Sequence, residues 1–442
     1  MSASDAWSSA RDHYLARCEE QRRQLPAETP WLSRLRETAA RSLAETGFPQ
    51  RKQEEWRYTN PAPLLRIPFE LAEAGLPLPD EERLEQVSTP VHACSNSVFL
   101  NGRLSEKLSA SDALAGRLHP LSLASVRRSA PELLEARLAQ LVDLKRHPFA
   151  ALNTAFLDDG AVIVVPDGVV LEQPLHLTFA VTAARVQHPR VLIALGRGSR
   201  ATVIQDHVST DPALVSFTNA VTEVFCGPGS SLELMLIQRE ASRGFHVSNL
   251  QARLERDAVL STHTITLGGR LLRNDAEIEL AGEGASASLR GLFAASGDEL
   301  VDNHTSVDHA LPHGTSRELY KGILTGSAQG VFRGRVLVRP RSQKSDAAQS
   351  NRNLLLSDRA EISSKPQLEI HADDVKCSHG CTTGRLDEDA LFYLRSRGIE
   401  LTEARGLLTR GFAREIFDAI PVRALAEALD DELGRVLAES AR

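Results

Sequence analysis

Between residue 158 and about residue 375, apolar side chains recur at alternate positions and helical periodicity is mostly absent. Leu232, Leu234 and Leu236 share one face of a run, as do Ile278 and Leu280. That spacing predicts short strands with one buried side. Turn residues punctuate the strands at 196–199, 227–230, 255–257 and 282–284. With Gly198, Gly229, Asp257 and Gly284 as markers, the spacings are 31, 28 and 27 residues, and Gly326 follows 42 further on. Three architectures absorb such a stretch. A propeller wants a longer, regular blade repeat. A sandwich usually ends sooner. A parallel β-solenoid tolerates uneven turns, because each coil touches only its neighbours. Its open ends need covers, and the flanking segments can supply them.

Those flanks carry a different pattern. Residues 13–22 and 35–43 are rich in Ala, Leu, Glu and Arg, with Pro26 and Pro30 between them, which predicts two helices. Thr59, Asn60, Pro61 and Pro63 break the pattern, and a Pro-rich stretch with a short helix is expected over 68–83. Residues 97–100 followed by Asn101-Gly102 suggest a strand and turn, and 129–142 and 149–156 read as helices. At the other end, 388–396, 400–408, 411–420 and a segment beyond Pro421 read as helices. Leu407, Leu408, Phe412, Ile416, Phe417 and Ile420 form an apolar stripe at helical spacing, suited either to internal core or to a partner. The expected division is 1–90 helical, 91–157 mixed α/β, 158–384 β core and 385–442 helical.

Composition narrows the function. The chain has 442 residues, 42% hydrophobic and 25% charged, with 51 basic and 58 acidic residues and a net charge of −7. That is the composition of a globular chain able to build a core without staples. No concentrated basic surface suggests nucleic acid or an anionic membrane. No apolar run approaches the roughly 20 residues of a membrane span, and the first residues carry no secretory pattern. Five cysteines, Cys18, Cys94, Cys226, Cys377 and Cys381, are no secreted disulfide framework, so a reducing, cytoplasmic compartment is expected.

The densest chemistry lies in His371-Ala-Asp373-Asp374-Val-Lys376-Cys377-Ser-His379-Gly-Cys381. Imidazole and thiolate suit iron, zinc and copper, and on a strand Cys377 and His379 share a side. The triplet is no structural zinc signature. A site completed by a second subunit fits better than a closed one, beside the plainer reading of a hydrogen-bonded histidine and two small buried thiols. A second group, His304, His309 and His313 with Asp302 and Asp308, reads as hydrogen-bonded surface or interface residues. Phosphate loop, dinucleotide fingerprint and Gly-x-Ser-x-Gly elbow are all missing from the sequence. A carbohydrate-active β-helix would need paired carboxylates, and the adjacent Asp373 and Asp374 face opposite sides of a strand. The polar run from Gln343 to Asn353 suits turns or side-chain ladders inside a solenoid.

Taken together, residues 343–353, Asn353-Leu-Leu-Leu-Ser357, 362–370 and 371–380 resemble the core of the SufB/SufD family of iron–sulfur cluster assembly proteins. Glu54-Glu55-Trp56-Arg57-Tyr58-Thr59, Tyr320-Lys321-Gly322 and residues 384–399 are similar to further family motifs. The likeness runs from about residue 50 to 425. It implies a mainly β fold: a right-handed parallel β-helix core flanked by N-terminal and C-terminal helical regions. It also implies a non-catalytic scaffold subunit, working with a SufB-like subunit and a SufC-like ATPase, and indirectly with a cysteine desulfurase and its sulfur shuttle. Cys18 and Cys94 form no N-terminal cysteine cluster of the SufB kind, and Cys377-Ser-His379-Gly380 is SufD-like. By that resemblance His379 is the expected interface ligand, with Cys377 second. Cys381 stands where the family pattern has a small residue such as Ala, and is either a silent small apolar substitution or an added thiol at the site. Leu408, Phe412, Ile416 and Phe417 are the expected ATPase-docking residues. The resemblance further implies no tightly bound cofactor in the isolated chain, a transient iron–sulfur cluster and reduced flavin (FADH2) in the complex, and a homodimer when isolated. The other readings are a self-associating structural β-helix and a carbohydrate-active enzyme.

Overall fold

In the computed structural model, residues 3–24, 28–72, 79, 84, 87–89, 94–109 and 121–440 are described. The short helix expected over 68–83 lies mostly outside them. Two ten-stranded sheets face each other, and from Arg190 onward successive strands alternate between them. Thus Phe217–Cys226 pairs in parallel with Phe245–Leu254, two strands later, while Ser231–Arg239 between them pairs with Val259–Thr266 in the opposite sheet. This is a parallel β-solenoid, the architecture that the family resemblance implied. The parallel ladder also takes in the earlier strand Ser95–Leu100, in register with Leu175–Val181.

One corner of the solenoid explains the repeat. Gly168, Gly198, Gly229, Asp257, Gly284, His313 and Lys344 all have positive φ and sit one above another. Each donates its N–H to the next coil: Gly198 to Pro228, Gly229 to Arg256, Asp257 to Glu283, Gly284 to Pro312, His313 to Gln343 and Lys344 to Asp374. Gly326 belongs to the opposite corner, above Gly297, so the 42-residue interval in the sequence spans two different columns.

The interior changes character along its length. Early coils stack Val203, Leu232, Leu234, Leu260, Leu289 and Ile278, all buried, each contributing about 1.5–3 kcal/mol by leaving water. The last coils instead bury Glu318, Gln349, Asn351 and Asn353. Deeper in the stack, His207 lies flat on Phe179, 4.9 Å between centroids, and its Nδ1 has no hydrogen-bond partner. Burial, aided by His246, pulls its pKa down to about 3. The unfolded chain therefore takes up the proton first, and stability is lost as pH falls from about 6.5 towards 3. His207→Phe should gain about 2 kcal/mol over the parent at about pH 5 relative to about pH 8. Denaturant unfolding at both values measures this; equal gains would refute it.

Helices cover both outer faces. On one, Ala3–Gln24, Pro30–Thr46 and Pro148–Ala155 pack through Tyr14, Leu43, Phe149 and Phe156. The motif at 54–59 is an anchor: Trp56 sits under the Arg273 guanidinium at 3.9 Å, and Thr59 donates to Asp302. The helix expected over 129–142 shortens to Pro131–Glu135, with a separate helix, Leu123–Ser129, before it. Beyond it the Ala139 and Leu141 N–H groups donate to the Glu223 carboxylate, which takes them out of helical hydrogen bonding. On the other face, Leu401–Phe417 forms one helix where two were expected, with Gly411 accommodated inside it. With Arg423–Ser440 it packs on Ile204, Met235, Ile265, Leu292 and Ile323.

Candidate functional site

The solenoid ends on Glu361–Ile370 in one sheet and Lys376–Gly384 in the other. Among the described residues, no further coil stacks on either strand. In the preceding strand Asp346–Leu355, odd-numbered residues from Ala347 to Asn353 are buried and point inward. Ala347 pairs with Cys377, Gln349 with His379 and Asn351 with Cys381. In-register parallel pairing puts partners on the same face. Cys377, His379 and Cys381 therefore form one row at the open mouth, on the inward face of the last strand. His379 and Cys381 are exposed and Cys377 is half-buried.

The three donors stand on different floors. Cys377 rests on Ala347 and packs with Leu368 and Val375, and burial pushes its thiol above the ordinary range. Cys381 stands over Asn351, whose Oδ1 accepts from Ser364 and Asn353 at 2.6 and 2.7 Å and whose Nδ2 donates to the Tyr320 carbonyl. That is the polar ladder expected of residues 343–353. His379 stands over Gln349, whose Nε2 donates to Glu318 at 2.6 Å. Burial raises the Glu318 carboxyl to about 7.

Residues two apart on a strand are about 6.7 Å apart, whereas ligands of one metal ion lie about 2–2.3 Å from it. A single ion cannot gather this row without rearrangement. Among the described residues, no three His, Cys, Asp or Glu side chains converge on a metal position.

Other candidates disperse. His304 lies on an outer face against Asp302 and Arg273. His309 is inside, bonded to Ser316 at 2.9 Å, and His313 occupies the positive-φ corner. Asp374 is held by Lys344 on the last turn. Of the expected docking residues, Ile416 and Phe417 are buried against the solenoid's own sheet, and Phe412 is half-buried beside them. Their side chains hold the helix in place. Lys321 reinforces it by donating to the Phe412 carbonyl at 2.8 Å and pairing with Glu415. Leu408 remains half-exposed and Leu407 is 49% exposed. The sequence reading passed over Phe392 and Tyr393, which are 75% and 56% exposed. Their helix, Glu388–Ser396, buries only Leu391. Two aromatics off its buried stripe were the available signal.

Comparison with known proteins accounts for residues 8–412. The SufBD core domain of the SUF system for FeS cluster assembly matches residues 178–412, and the SufBD N-terminal region matches 8–177. An iron–sulfur cluster assembly SufBD family protein of Synechocystis is 33% identical over 401 residues, covering 88% of each chain. The iron–sulfur cluster assembly protein SufD of Escherichia coli is 31% identical over 405 residues, 90% of this chain and 92% of that one. A SufBD family protein of Mycobacterium leprae is 35% identical over 291 residues, 63% of this chain and 72% of its own.

Proposed function

The chain belongs to the SufBD family of iron–sulfur cluster assembly proteins and is SufD-like, and from that premise we propose that it is a scaffold subunit contributing one wall of a cluster assembly site. The observation that carries the reading is the row Cys377, His379, Cys381 on a terminal strand on which no further strand stacks among the described residues. A SufB-like solenoid set against this mouth supplies the remaining ligands. His379 is the nitrogen donor, and Cys377 and Cys381 are the neighbouring thiols. Mixed ligation across an interface holds a cluster and releases it when the interface shifts.

The subunit is non-catalytic on this reading. A SufC-like ATPase provides the work of opening the interface and docks on the C-terminal helices. Phe392, Tyr393 and Leu407 are exposed there, and Leu408 beside them is half-exposed. A cysteine desulfurase and its sulfur shuttle act upstream, reduced flavin (FADH2) acts in the complex, and the isolated chain pairs with itself through the same mouth. The proposed location is the cytoplasm. No helix among the described residues is long and apolar enough to cross a membrane.

Native mass spectrometry of the tagged protein, purified without oxygen from its own cells, tests the assembly. The expected mass is one such chain, one related scaffold chain and two ATPases. A homodimer alone, from cells expressing all partners, refutes it. Phe392→Ala with Tyr393→Ala should weaken ATPase capture about thirtyfold, as loss of an aromatic anchor does, and leave the melting temperature unchanged. Undiminished capture would exclude this surface.

A further inference from the structure

Of the three floors under the mouth, that of His379 alone holds an open acceptor. Gln349 is 3% exposed. Its Nε2 is committed to Glu318, which fixes the amide's orientation, because an ionised carboxylate only accepts. Its Oε1 is left buried without a hydrogen-bond donor. Such a group is costly in a protein interior and calls for a partner. Nothing equivalent exists under Cys377, where Ala347 has no polar side-chain atom, or under Cys381, where the Asn351 side chain already has its bonds. The pocket for the amide is built across the stack by Gly334. A Cβ at that position would lie 2.0 Å from Gln349 Nε2, so a side chain there would displace the amide.

We infer that Gln349, held by Glu318 and housed by Gly334, is a positioning residue for His379: its Oε1 accepts the inward ring N–H and leaves the other ring nitrogen as the donor facing out of the mouth. This rests on the reading of His379 as a ligand. The neutral imidazole has one N–H and one lone pair. Only the lone-pair nitrogen can bind iron, and the hydrogen bond made by the opposite nitrogen decides which one that is. An exposed histidine without such an acceptor distributes itself between tautomers and rotamers. With Gln349 beneath it, His379 presents one nitrogen in one direction before any partner arrives.

The test is long-range proton–nitrogen NMR of the full chain with ring-labelled histidine, at about pH 8, where Glu318 is ionised. The His379 signal is assigned by its loss in His379→Asn. The expected result is one dominant tautomer in the parent and a mixture close to that of free imidazole in Gln349→Met. A parent His379 with a free-imidazole mixture overturns the inference, and this holds even where Gln349→Met fails to fold. So does a tautomer ratio that Gln349→Met leaves unchanged. In the anaerobic assembled complex, Gln349→Met should lower retained iron and sulfide about tenfold, within the range for loss of an outer-shell partner. Parent-level retention also overturns it. Failure of the ligand reading itself is distinct, since it would show as normal cluster formation in His379→Ala.

Discussion

Replacing His379 by alanine lowers the iron and acid-labile sulfide carried by the anaerobic scaffold complex about tenfold or more, on the scale expected when a metal centre loses a ligand or its support. The argument is positional. His379 lies on the last strand, inward-facing and exposed, with no coil above it among the described residues. Removing an exposed side chain away from caps and cores shifts stability by only about 0.5 kcal/mol, so fold and complex formation should persist. Cys377→Ser and Cys381→Ser provide the comparison. The Cys377 thiol is half-buried and held above its ordinary pKa, so it reaches the thiolate form that binds iron less readily than an unperturbed thiol. A His379→Ala complex with parent-like iron and sulfide would eliminate the ligand role and move attention to the two thiols.

Glu223→Ala should destabilise the chain by about 3–5 kcal/mol, the cost of stranding one member of a buried ion pair. Glu223 and Arg190 are both fully buried on neighbouring strands, and they pair directly. Arg190 also donates to Asn153 and Thr154 at 3.1 and 3.2 Å, while Glu223 accepts the Ala139 and Leu141 N–H groups at 2.8 and 3.1 Å. The pair thus ties the segment before the solenoid to its outer face. Alanine leaves a buried guanidinium without its counter-charge and two backbone donors without acceptors. Glu223→Gln keeps an acceptor and should cost less. Denaturant titration of both variants decides the matter, and a loss under about 1 kcal/mol for Glu223→Ala would mean that water reaches Arg190 and that the tie is weak.

The repeat was legible only while glycine or aspartate marked its corners. Gly198, Gly229, Asp257 and Gly284 fall in one column, and the column continues through His313 and Lys344. A non-glycine residue in left-handed backbone costs roughly 1–2 kcal/mol, and here each such residue hydrogen-bonds to the next coil. Local sequence does not advertise a turn that stacking stabilises. The helix boundaries at 129–142 moved for a related reason, since the acceptor of their backbone N–H groups, Glu223, lies more than 80 residues away. The apolar stripe at Leu408, Phe412, Ile416 and Phe417 suited either core or a partner, and was expected to dock the ATPase. Periodicity marks such a face without naming its partner, and most of this one went to the solenoid.

By itself, the sequence determined that strands of similar length recur through the middle of the chain, that helices flank them, and that Cys377, His379 and Cys381 share one strand face. It also carried the motifs by which the SufBD family is recognised. Only the tertiary structure decided that this face belongs to the last coil, that Gln349 lies under His379, and that Ile416 and Phe417 are core while Phe392 and Tyr393 are surface. Side-chain alternation follows from the local geometry of a strand and is written residue by residue. Exposure depends on which strand stacks next, some 30 residues along the chain, and at the end of the solenoid on there being none.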